Sequence, residues 1–333
     1  MKNVLTRCYT VLAFIWISNA NAEVLTSVDQ IDRIDKVKSV SDTVAINPVF
    51  SPNGRYLAFL DGGISSQPLR ILDTDSWDMI NTEEHSANRL NWLNNDIVVA
   101  GGSAASARIF VSIERRGKIE SINEKEVLEA SMSQAIDYLY SDKSQTLFVL
   151  SGQEKILCVP EIRYFSNPHN SLSGDLIAFS GIVSEEFQNQ HSLRARHGVI
   201  IYDRRSRLVK IAGEVPDDYA GLPKEATTEG NPNLSSEMYP ATLSSFSPSG
   251  NFLLFDSTYC LWDSDESNVY QWSALWVSDL NSGDKRQITP YEPGTINCLA
   301  WSSTGLICFT RNSSELGFYR LKLKPPGGTP SGE

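Results

Sequence analysis

The 333-residue chain carries 29 Lys plus Arg against 40 Asp plus Glu, a net charge of −11 spread without a long run of one sign. A surface of that sign repels phosphate backbones and anionic lipid, which argues against nucleic acid as a partner. Its five cysteines include no Cys-x-x-Cys spacing, so neither a zinc ribbon nor a thioredoxin-type redox pair is supported.

Residues 1–22 begin with Lys2 and Arg7, continue through an apolar run from Tyr9 to Ile17 and end on Ala20-Asn21-Ala22, the layout of a cleavable secretory signal. The apolar run is far short of the ~20 residues that cross a bilayer, so no integral membrane segment is expected after cleavage. Losing Lys2 and Arg7 takes the basic count from 29 to 27 against 40 acidic residues, and the net charge from −11 to −13. The mature chain is expected to start at Glu23 and to reside in the periplasm or outside the cell. Four cysteines then remain, at 158, 260, 298 and 308.

The first strong element is Phe50-Ser51-Pro52-Asn53-Gly54-Arg55-Tyr56-Leu57-Ala58-Phe59, and it returns as Phe246-Ser247-Pro248-Ser249-Gly250-Asn251-Phe252-Leu253-Leu254-Phe255. Each copy reads as a strand ending in an aromatic, a Pro-x-Gly turn and a second strand whose apolar run implies burial on both faces. Weaker copies start at Trp92, Tyr140, Ser171 and Trp301, making six in all. A third strand follows several of them and ends in an acidic turn, as at Pro68–Asp73, His197–Asp203 and Ala274–Asp279, with Gly317–Lys322 after the last hairpin. Short fourth strands are expected at Lys210–Ala212 and Arg286–Thr289.

Four antiparallel strands per repeat are the blade of a β-propeller. The expected fold is therefore all-β, spanning residues 23–323, with six blades at ~45 to 50 residues each and seven as the alternative. The last repeat runs out after its third strand, because the segment 324–333 is a Pro/Gly tail that cannot pair in a sheet and is expected to be disordered. Residues 37–44 are expected to supply the missing strand against 316–323, closing the ring and covering an edge that would otherwise invite aggregation. A long insertion, Glu214–Tyr239, reads as a surface loop.

The Phe-Ser-Pro-x-Gly-x-x-Leu-x-Phe hairpin, the third strand ending in Asp and a short final strand such as Gln287-Ile288-Thr289 resemble the propeller repeat of the TolB family. The resemblance implies a propeller fold and a periplasmic partner-binding role. It also extends to propeller domains attached to peptidases of the prolyl oligopeptidase type. There is no room between Glu23 and the first repeat for the α/β domain that precedes the TolB propeller, so the chain resembles a lone TolB-like propeller.

Chemistry is sparse in the sequence. No Gly-x-Ser-x-Gly nucleophile elbow occurs. The histidines are His85, His169, His191 and His197, for which surface positions are the default and a joint metal site is not expected. The acidic stretch Asp263–Asn268 lacks the Gly and terminal bidentate Glu of an EF-hand. No cofactor is expected. Trp262, Tyr270 and Trp272 border that acidic turn and, with Tyr239 at the end of the insertion, are the candidate partner-binding anchor, since aromatics are favoured at binding hot spots. The opposing expectation for these and for Tyr259 and Trp276 is burial between blades. Cys298 and Cys308 flank one hairpin and are a disulfide candidate if the register brings their Cβ atoms within ~4.5 Å.

These features point to an exported, non-enzymatic scaffold that recognises a protein, peptide or glycan in the cell envelope. The alternative is a lyase or hydrolase acting on a polysaccharide, with a channel-mouth site assembled from several blades.

Overall fold

The computed structural model describes residues 25–41, 43–62, 68–80, 89–92, 95–101, 108–114, 117–118, 136–141, 146–151, 154–159, 162–171, 173, 175–183, 197–213, 215, 235–239, 241, 243–262, 269–312 and 315–324. The expected signal at 1–22, most of the insertion, the acidic turn at 263–268, His85, His191 and the tail from 325 onward lie outside the described residues. No helix among the described residues is long and apolar enough to cross a membrane.

A 3-10 turn at Val28–Gln30 leads into β1 (Ile31–Ser41). Strands β2 (Ala45–Phe50), β3 (Tyr56–Asp61), β4 (Leu69–Asp73) and β5 (Met79–Ile80) pair in that order as the first sheet. The second sheet is β6 (Arg89–Trp92), β7 (Ile97–Gly101), β8 (Arg108–Ser112) and β9 (Gly117–Lys118), again in chain order. A third has three strands, β10 (Ile136–Ser141), β11 (Thr146–Ser151) and β12 (Glu154–Val159). The fourth is β13 (Ile162–Asn170), β14 (Leu176–Val183), β15 (His197–Asp203) and β16 (Val209–Gly213). The fifth contains β17 (Ser235–Tyr239), β18 (Ser244–Phe246), β19 (Phe252–Trp262), β20 (Val269–Asp279), β21 (Lys285–Gln287) and β22 (Glu292–Pro293). The last is β23 (Ile296–Trp301), β24 (Leu306–Arg311) and β25 (Glu315–Leu323), completed by β1.

Every pairing among these strands is antiparallel, and hydrophobic cores lie between the first and second, fourth and fifth, fifth and last, and last and first sheets. On β3, Leu57 and Phe59 pack against Cys308 and Phe318 of the last sheet, while Ala58 packs on the other side with Trp92 and Val111 of the second. Both faces of one strand are thus buried, as its unbroken apolar run requires. Leu253 and Phe255 likewise face Val199 and Ile201 of the fourth sheet, while Phe252 and Leu254 face Ile307 and Phe309 of the last. Antiparallel sheets that follow one another in chain order and pack face to face where their cores are described, the last resting on the first, are a β-propeller.

Blades of four strands number four, against the six or seven expected. The third sheet has three strands among the described residues, and the fifth departs from the pattern because its central hairpin is overlong and takes up extra strands.

The turns repeat with the strands. Ser51, Ser171, Ser247 and Ser302 are buried, and the hydroxyl of each accepts the backbone N–H of the first residue of the next strand, or its equivalent, at 2.9–3.1 Å. Gly54, Gly250 and Gly305 close the same turns with φ of 73°, 73° and 78°. At Gly54 an added Cβ would also stand 2.8 Å from the Thr304 methyl, because the first turn packs against the last. The backbone N–H groups of Thr74, Ile113, Arg204 and Leu280 donate to the carbonyls of Arg55, Asp96, Asp175 and Asn251. Those four bonds tie the turn after the third strand to the turn after the first.

Closure comes from the N-terminal strand, at a corrected position. The expected partner of the last strand was 37–44; the observed register runs from Ile31 opposite Leu323 to Ser41 opposite Glu315. Pairing starts six residues earlier because β25 is nine residues long and Ile31, fully buried, enters the core between the fifth and last sheets.

Candidate binding surface on the fifth sheet

β19 and β20 each have 11 residues, against six in β3, and remain in register from Phe252 opposite Asp279 to Trp262 opposite Val269. At ~3.3 Å per residue the hairpin reaches roughly 36 Å. Its lower half is an ordinary blade centre, flanked by β18 and β21; its upper half is an extension flanked by β17 and β22.

Polar side chains clamp the junction between the two halves. Asp256, itself buried, accepts the Leu243 N–H at 2.7 Å where the chain steps from β17 to β18. Ser257 and Tyr291 share a hydroxyl–hydroxyl bond of 2.7 Å, and the Ser273 hydroxyl donates to the Gly294 carbonyl at 2.7 Å. Arg311 reaches over from the last sheet and donates to the Ser273 carbonyl at 2.9 Å and the Glu292 carbonyl at 3.0 Å, with the Glu292 carboxylate 3.3 Å away. Burial lowers the pKa of this guanidinium and the Glu292 charge opposes the shift; an arginine keeps its proton either way. The extension is therefore anchored to its own sheet and to the next.

Alternation sorts its residues. Phe255 opposite Trp276, Tyr259 opposite Trp272 and Leu261 opposite Tyr270 share one face, the one that packs on the fourth sheet lower down. Phe255 and Trp276 stack with centroids 6.5 Å apart, Tyr259 and Trp272 approach to 6.4 Å, and Tyr270 and Trp272 to 6.4 Å. The row starts in the core and ends in solvent: Trp276 and Tyr259 are buried, Trp272 is half-buried and Tyr270 is 53% exposed. The row is an aromatic ladder, interrupted by the small pair Ser257 and Ala274 between Phe255–Trp276 and Tyr259–Trp272, and its top rung is open.

The four residues expected to form one anchor occupy register positions of two parities. Tyr270 and Trp272 belong to the ladder, whereas Trp262 and Tyr239 occupy register positions of the opposite parity, opposite Val269 and Thr258. The side chains of Trp262 and Tyr239 lie outside the described residues. Tyr259 is a rung that sequence reasoning did not choose for the anchor; its signal was the even spacing along the strand, two residues to Leu261 and four to the core residue Phe255.

The expected disulfide is also corrected. Cys298 lies opposite Thr310 and Cys308 opposite Ala300, so the two thiols are diagonal neighbours rather than partners. Diagonal positions are about 7 Å apart, beyond the ~4.5 Å a disulfide tolerates. Both thiols are free and buried. Burial pushes Cys298 up to about 11, against hydrogen bonding from Thr310; burial, helped by the neighbouring Cys298 charge, also raises Cys308 well above its ordinary value.

His169 on β13 sets its ring edge against Phe246 of the fifth sheet at 5.4 Å, an inter-sheet packing position, and His197 starts β15. Among the described residues no three His, Cys, Asp or Glu side chains form a set that could hold a metal.

No protein-family model and no curated protein matches the chain. Among solved structures it is similar to a putative TolB from Agrobacterium tumefaciens, at 15% identity and a TM-score of 0.45, over 85% of this chain and 91% of that one. Two further similar structures are TolB from Acinetobacter baumannii (10% identity, TM-score 0.32, 85% and 56% covered) and a streptogramin B lyase (10% identity, TM-score 0.37, 87% and 97% covered). Two of the three are TolB-type propellers. The fold assignment rests on the sheet order and register, and the binding surface on its own geometry.

Proposed function

We propose that this chain is an exported, non-enzymatic binding propeller of the cell envelope, its six sheets forming six blades, which recognises a protein, peptide or glycan through the ladder on the extended hairpin. The observation that carries the reading is the half-exposed Tyr270 at the end of an aromatic row that runs from buried Trp276 and Tyr259 through half-buried Trp272. An aromatic ring offers large contact area at little entropic cost, and a ring held on a clamped strand is pre-organised for a partner.

The test is affinity capture from envelope extract with wild type, Tyr270→Ala and Trp272→Ala. The reading expects one partner retained by wild type and lost with Tyr270→Ala at unchanged Tm. Equal capture by the variant and wild type, or no partner from any extract, overturns it. Release of reducing ends from envelope polysaccharide by the purified protein would favour the lyase or hydrolase alternative.

A further inference from the structure

We propose that the cleft between the first and second sheets is a separate binding site for a basic side chain, the lysine or arginine of a peptide or protein partner. The cleft has a volume of about 400 Å³ and lies at the strand ends where the turns after β2 and β4 meet the end of β8. The β19–β20 ladder sits at the opposite strand ends, beyond the second strand of its sheet, so the two sites are independent.

The floor is apolar. Tyr56, Met79, Ile80 and Ile113 line it, and Tyr56 is held from both sides by the Arg55 guanidinium, 5.0 Å from its ring centre, and by Trp92, stacked at 6.3 Å. At the rim stand Asp78 and Glu114, both exposed and without an ion-pair partner among the described residues. Backbone bonds hold both in place: the Glu114 N–H donates to Asp96 at 2.8 Å and the Asp78 N–H to the Ser76 hydroxyl at 3.3 Å.

The charges of the lining decide the ligand. Arg55 is already committed, donating to Asp73 at 2.9 and 3.3 Å with Asp75 3.5 Å away, so that wall offers an incoming group no net positive charge. Among the described residues, what remains unmatched is two carboxylates above an aliphatic and aromatic floor. A lysine or arginine side chain has the complementary form, an apolar stem that lies along such a floor and a cationic head that reaches a carboxylate. The acidic excess of the whole molecule, −11 for the full chain, draws a basic partner in from a distance.

The probe is the tripeptide acetyl-Gly-Arg-Gly-amide, titrated into full-length protein carrying 13C-methyl methionine, with its citrulline counterpart as the neutral control. Binding is expected as a saturable shift of the Met79 methyl signal with Kd on the order of 1 mM, weakened by salt and absent with citrulline. Combining Asp78→Asn with Glu114→Gln is expected to weaken it about fivefold, the factor for loss of two solvent-accessible ion pairs. The Met238 signal, on the distant extension, reports that the variant is folded. No shift of Met79 at about ten times the expected Kd, an equal shift with citrulline, or wild-type affinity in the folded double variant would each overturn the proposal.

Discussion

Two residue types carry most of the turn chemistry. The buried serine of each Ser-Pro-x-Gly-type turn satisfies a strand N–H that would otherwise point into a closed interior, where an unpaired donor costs roughly 1–3 kcal/mol. The aspartates that end the third strands of the first, fourth and fifth sheets accept N–H groups two and three residues on: Asp73 from Asp75 and Ser76, Asp203 from Arg205 and Ser206, Asp279 from Asn281 and Ser282. Burial alone would raise the Asp73 and Asp203 carboxyls. For Asp73 the Arg55 guanidinium and two backbone amides outweigh burial; for Asp203 the Ser206 hydroxyl, two amides and Arg205 do so. Both finish below the ordinary carboxylate range. A depressed folded-state pKa means stability that is in place above the unfolded value of ~3.9 and is lost as pH falls through the folded value. Asp73→Asn is therefore expected to lower Tm at pH 6 and to approach wild type as pH falls through the folded-state value of Asp73, measured by thermal melts from pH 6 downward. A constant gap at all pH values would show that the carboxylate charge is not what Asp73 contributes.

At the scale of elements, the hairpins obey the sequence closely where residues on both faces are apolar, and less where register decides. The segments at Phe50–Phe59 and Phe246–Phe255 are legible because period, turn and burial agree. Register is not legible. Trp262 stands opposite Val269, and that pairing puts Trp262 at a register position of opposite parity to Tyr270 and Trp272. The same sensitivity separates Cys298 from Cys308 by one diagonal step in the last sheet. Since burial holds both thiols far above their ordinary pKa, neither is expected to react with iodoacetamide in the native protein at pH 8, and both are expected to react after denaturation without reductant, read by peptide mass spectrometry. Failure to label in the denatured, unreduced chain would restore the disulfide.

For the whole molecule, the decisive contact joins the two ends of the described chain. β1 covers the edge of β25 with nine cross-strand pairs, while Val28 and Ile31 pack beneath Leu275 and Val277 of the fifth sheet. Lys324 N–H also donates to the Gln30 carbonyl at 2.7 Å. Closure therefore binds two sheets at once, and loss of it should be felt in both. Ile31→Ala is expected to destabilise the protein by roughly 2–4 kcal/mol in urea unfolding. Deleting residues 25–41 is expected to abolish the cooperative transition and expose a free edge that self-associates. A deletion variant that unfolds cooperatively as a monomer would show that the sheets stack stably without the closing strand.

The sequence by itself determined the repeat, the all-β class, the serine and aspartate turns, and that the last sheet must borrow a strand from the beginning of the chain, because each follows from local pattern and from the pairing needs of a backbone. Only the tertiary structure decided where that strand starts, how far β19 and β20 extend, which aromatics share a face, and that Asp78 and Glu114 overhang an apolar cleft. Those outcomes depend on register and on contacts between sheets formed by residues distant in the chain, and neither a two-residue alternation nor a turn motif carries information about which strand lies opposite which.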